Sequence, residues 1–99
     1  SYNFNFITTI AGDYILHMNL YINDNAASDI TSDLIVNNVI ATNINGSHRQ
    51  DFTAITSGIT YTHHAKLVGV TVGQTIGFKL GSSDACTVTN GSLTIIKTA

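Results

Sequence analysis

Nine residues of unbroken alternation, Tyr14-Ile15-Leu16-His17-Met18-Asn19-Leu20-Tyr21-Ile22, constrain this chain more than any other feature. Successive side chains of an extended strand point to opposite faces, so Tyr14, Leu16, Met18, Leu20 and Ile22 share one face. Ile15, His17, Asn19 and Tyr21 share the other. The first is a face for a sheet core. The second is too aromatic and apolar for plain solvent, and too polar for the core of a monomer.

The rest of the chain is made of the same material. Glu and Pro are absent, while Thr, Ile and Asn dominate. Thr and Ile lose rotamer freedom in a helix and pack well on a pleated surface, and Asn prefers turns. No stretch of ten residues has helical periodicity, so an all-β chain with short Asn/Gly turns is expected. Strands are read at Phe4–Ile10, Tyr14–Ile22, Asp33–Val36 and Val39–Ile44, the last two joined by an Asn37-Asn38 hairpin turn. Others follow at Phe52–Thr56, Ile59–Val72 with a bend or bulge at Gly69, Thr75–Leu80, Ala85–Thr89 and Ser92–Thr98. Asn45-Gly46, Ser57-Gly58, Gly73-Gln74, 81–84 and Asn90-Gly91 punctuate them. The stretch Asn23 to Ser32 is read as the longest exposed loop. About eight or nine short strands at this spacing make an antiparallel sandwich or barrel.

A length of 99 residues is one domain, spanning 1–99. Charged residues are 10% of the chain and hydrophobic ones 43%, against about 25% charged in ordinary soluble domains. Such a surface is expected to be covered in part by another subunit. With a net charge of −2 and Arg49, Lys66, Lys79 and Lys97 scattered, there is no basic patch for nucleic acid. No apolar run is long enough for a spanning helix, and no basic and apolar leader opens the chain, so no membrane insertion is expected. The single cysteine, Cys86, permits no internal disulfide and reads as a small buried hydrophobe.

Thr9 to Leu16, Leu34 to Ile40, Val68 to Leu80 and Ser92 to Ile96 are four motifs that, in this order, resemble those of the tumour necrosis factor-like and complement-type globular heads. Thr9-Ile10-Ala11-Gly12-Asp13-Tyr14-Ile15-Leu16 resembles their entry strand, and Leu34-Ile35-Val36-Asn37-Asn38-Val39-Ile40 their hairpin. Val68 to Leu80 resembles the segment built around a Gly-Asp turn, and Ser92-Leu93-Thr94-Ile95-Ile96 the closing strand. Asn38 stands where the hairpin usually has Gly, and Gln74 where the turn usually has Asp. The short, Pro-free, Asn/Thr-rich chain looks most like the small trimeric heads of bacteriophage virion proteins. The resemblance implies a compact jelly roll that forms a homotrimer, with Ile15, His17, Asn19, Tyr21, Thr94 and Ile96 in the subunit contact. It implies a virion-surface location, a capsid or other virion protein as partner, and a role as capsid decoration or small spike. The alternative is a receptor- or glycan-binding tip of a tail fibre, or a bacterial lectin-like trimer; a secreted signalling ligand is a third class.

Catalytic chemistry is thinly represented. No nucleophile elbow, phosphate loop or His-Glu-x-x-His pattern occurs, and Ser47-His48 near Asp51 lies within one turn, whereas triad members converge from separate elements. No enzyme activity and no cofactor are expected. No metal site is expected either, the weak candidates being His63 and His64. As strand neighbours they face opposite ways, and only a threefold axis would gather three imidazoles from one position. Asn23, Asp24 and Asn25, with Asp29 and Asp33, read as a solvated acidic loop, since calcium needs six to eight oxygens in a defined loop. Asn23, Asp24, Asn25, Tyr61 and His63 are the candidate contacts for a host-surface glycan. Asn45-Gly46-Ser47 and Asn90-Gly91-Ser92 match the glycosylation acceptor pattern, but Asn-Gly is first a hairpin turn.

Overall fold

The alternation at Tyr14 builds the centre of the molecule. In the computed structural model, which describes residues 2–23, 28–45, 47–55, 59–83 and 87–99, this segment is the middle of a 12-residue strand, β2 (Gly12–Asn23). Leu16, Met18, Leu20 and Ile22 are fully buried and Tyr14 nearly so. Burying each such side chain stabilises the fold by about 1.5–3 kcal/mol. The other described strands are β1 (Tyr2–Ile7), β3 (Ser28–Val36), β4 (Val39–Ile40), β5 (Ile44–Asn45), β6 (Arg49–Ile55), β7 (Ile59–Val70), β8 (Thr75–Ser82) and β9 (Thr87–Lys97). No helix occurs among the described residues.

The strands form two sheets in which every pairing is antiparallel. In the first the order is β1-β8-β3, and the far side of β3 is shared by β4 and β6. In the second the order is β5-β7-β2-β9. The pairings are nested: β1 with β8, β2 with β7, β3 with β6. Between the sheets, Leu16, Met18 and Leu20 meet Ile30, Leu34, Ile76 and Phe78 in one core. The 12-residue strands β2 and β7 set the long dimension. At about 3.3–3.4 Å per residue such a strand spans ~40 Å, against a molecular extent of 41 Å.

Turn chemistry decides several joints. Asn37 (φ 52°) and Asn38 (φ 65°) both lie in the left-handed region, as a two-residue type I′ hairpin requires. Asn adopts that region more readily than other non-glycine residues, so it serves where the resembling motif has Gly. The tip is tied to β8: Asn37 N–H donates to the Thr75 carbonyl, and Thr75 N–H to Asn37 Oδ1. At Gly69, φ is 65° and the β2–β7 register slips by a residue, so the expected bend is a bulge. Gly77 answers a different need, because a Cβ there would strike the Phe4 carbonyl of β1.

Three expectations are corrected. The stretch from Asn23 to Ser32 is no single loop: β2 runs through Asn23 and β3 begins at Ser28, with Ile30 and Ser32 buried. Its turn-forming Ser and Asp residues are outweighed by β6 and β8, which pair with β3 on both sides. Asn90-Gly91 is no turn but lies inside β9. There β2 serves as a template along the whole strand, and a bulge opposite Tyr21/Ile22 takes up the extra residue. Val39–Ile44 is not one strand but the two short strands β4 and β5, one in each sheet. Cys86 lies outside the described residues.

Candidate functional site: the outer face of the second sheet

The odd-numbered positions of β2 stand away from the core, between β7 and β9, and the two registers arrange them in rows. Lys66–Ile15–Ile96 form the first row and His64–His17–Thr94 the second. Thr62–Asn19–Ser92 and Thr60–Tyr21–Asn90 form the third and fourth. Lys66 is the one formally charged side chain in these rows. The face has two unlike halves.

The first half is apolar and aromatic. Ile96 is 55% exposed, large for an isoleucine on a sheet, and Ile15 lies beside it across the β2–β9 pair. The rings of His17 and His64 stack with centroids 5.5 Å apart. Nε2 of His17 is shielded from solvent and has no hydrogen-bond partner among the described residues. A buried polar atom left unpaired costs about 1–3 kcal/mol.

The second half is neutral and polar. Around the β9 bulge, Asn19, Tyr21, Thr60, Asn90 and Ser92, together with Leu20 and Gly91, line a shallow hollow of about 260 Å³. Tyr21 is 39% exposed.

The residues expected to contact a glycan are placed differently. His63 is buried, so its expected surface role is corrected. Its Nδ1 shares a 2.7 Å hydrogen bond with Ser32 Oγ, and its ring packs on Phe78 at 4.5 Å. Burial pushes its pKa down to about 4. Ser32 and His63 resemble a nucleophile and its base, but both are sealed in the core, where no substrate reaches them. Tyr61 is also corrected: it turns inward, half-buried, against Phe52 with ring centroids 4.9 Å apart. Asp24 and Asn25 lie outside the described residues, and Asn23 is described only through its backbone pairing with Thr87. His63 and His64 lie on opposite faces of β7, and among the described residues no three His, Cys, Asp or Glu side chains gather as for a metal.

One cluster escaped the sequence reading. Asp33, expected in an acidic loop, is buried and accepts Arg49 Nε and Nη2 at 2.8 and 2.9 Å, with His48 Nδ1 at 3.1 Å. The Arg49 hydrogen bonds hold its carboxyl below the usual range, against the opposing effect of burial. Asp33 and Arg49 are register partners of β3 and β6, a pairing that no local motif announces.

No family model, curated protein or solved structure matches this chain.

Proposed function

We propose that this chain is a non-enzymatic structural subunit of a bacteriophage virion surface, a capsid decoration or small spike, working as a homotrimer. The observation that carries the assembly step is the first half of the outer face. Exposed Ile96 and its row partner Ile15 adjoin a row whose His17 Nε2 is shielded and unpaired. A neighbouring copy would cover the isoleucines and take them out of water. The contact centres on Ile15, His17, Thr94 and Ile96, with Asn19 and Tyr21 at its margin.

Supporting a jelly roll, the nested pairings are those of one long two-stranded ribbon folded over on itself, with β9 added along the free side of β2. The threefold symmetry and the virion surface rest on the resemblance of the four motifs. Since one fold hosts many functions, that last step is analogy.

Light scattering at micromolar concentration should give the mass of three chains. Ile15→Glu and Ile96→Glu should each give folded monomers, because a carboxylate in the contact loses its hydration. A monomeric native protein overturns the proposal, as does a trimer indifferent to both variants. Melting of capsids with and without the protein then tests the decoration role: no shift would refute it.

A further inference from the structure

We infer that the hollow beside Tyr21 is a binding site for a neutral saccharide. The inference goes beyond the assembly reading: the hollow occupies the other half of the face and shares with the proposed contact only its marginal residues, Asn19 and Tyr21. Its origin is the bulge in β9: Asn90 lies opposite Tyr21, but Val88, not Thr89, lies opposite Ile22. The extra residue parts β9 from the regular ladder, and the space of about 260 Å³ opens there.

The lining selects the ligand class. Asn19 and Asn90 each present a carboxamide, with two donors and an acceptor; Thr60 and Ser92 present hydroxyls; Tyr21 presents a ring with a polar tip. None of the lining residues is charged at neutral pH. The closest cation within the rows is Lys66, level with Ile15 and six residues along β2 from Tyr21. At about 3.3 Å per residue that is ~20 Å, more than twice the screening length of ~8 Å at physiological salt. A phosphate or carboxylate ligand therefore finds no counter-charge within these rows. A purely apolar ligand would strip water from two amides and two hydroxyls and give nothing back. A sugar ring satisfies both requirements. Its hydroxyls pair with carboxamides and hydroxyls, and its C–H face lies against the exposed ring of Tyr21. The volume falls just below the ~300–1,000 Å³ of drug-sized sites, which suits one ring of a longer glycan.

Amide-resolved NMR titration with glucose, galactose, mannose and N-acetylglucosamine, beside glucose 6-phosphate and sialic acid, tests this. A neutral sugar should give saturable shifts at Asn19, Tyr21, Asn90 and Ser92, with the anionic probes weaker. Tyr21→Ala should weaken the response at least tenfold and Tyr21→Phe should preserve it, as a stacking platform requires. Should Tyr21→Ala unfold, the exposed Asn90→Ala provides the same reading. The folded Ile15→Glu monomer should bind as the native protein does, which separates failure here from failure of the trimer. The inference is overturned by the absence of saturable shifts, by shifts centred elsewhere, or by preference for the anionic probes. Binding unchanged in Tyr21→Ala, or lost in folded Ile15→Glu, overturns it equally.

Discussion

His63 shows what a single buried side chain does to the whole stability curve. Its pKa is about 4 in the fold, against about 6.5 for an unperturbed imidazole, because burial beside Phe78 disfavours the cation. Above pH 6.5 both folded and unfolded chains hold it neutral, and stability is unaffected. Between pH 6.5 and about 4 the unfolded chain takes up a proton that the fold refuses, so stability falls as pH falls. At 1.36 kcal/mol per unit the loss is on the order of 3 kcal/mol. The depressed carboxyl of Asp33 acts in a separate window: its contribution is present above pH 3.8 and fades below it. His63→Gln removes the titration while retaining a hydrogen-bonding partner for Ser32. The gap in denaturation free energy between native protein and variant should therefore narrow from pH 6.5 to 4; a constant gap would contradict the assignment. Met18 tests the opposite quality, plain packing. It is fully buried between Leu16 and Leu20, so Met18→Ala should cost about 2–5 kcal/mol through the cavity left behind. Met18→Leu should cost less than about 1.5 kcal/mol, volume being nearly conserved. Chemical denaturation of the pair measures both.

At the scale of elements, parity was legible and boundaries were not. The Tyr14–Ile22 alternation identified the core face of β2 residue by residue, because burial of every second side chain follows from strand geometry alone. The Asn37-Asn38 turn was equally local, since its backbone requirement is met by the residues themselves. Replacing Asn38 by Val puts a β-branched residue at φ 65° and should cost about 1–2 kcal/mol. Asn38→Gly should be tolerated without loss, and thermal melting of the two variants checks the contrast. Asn90-Gly91 carried the same turn signal and became strand. There, pairing along β2 outweighed a local preference worth about 1 kcal/mol or less.

For the whole molecule, the outer face of the second sheet is where the proposed assembly is tested. Under the proposed assembly a partner covers its isoleucine row, whereas the Tyr21 hollow is lined by one chain. If the proposed trimer forms, the denaturation midpoint must rise with protein concentration, because association draws on folded chains only. Ile15→Glu should abolish that dependence, and a midpoint already independent of concentration in the native protein would count against assembly. Asn90→Ala, at the hollow and outside the proposed contact, should leave the dependence intact.

The amino-acid order by itself determined the all-β class, the two faces of β2, the left-handed Asn turn and the bulge at Gly69. Each follows from residues a few positions apart and from steric rules that hold in any context. Tertiary structure alone decided that Asp33 meets Arg49 across 16 residues and that Ser32 meets His63 across 31. It also turned Tyr61 inward and opened the hollow between β2 and a strand from the other end of the chain. The physical reason is the range of the forces involved. Local preference acts within a turn, but burial and ladder pairing act between strands whose partners only the folded chain selects.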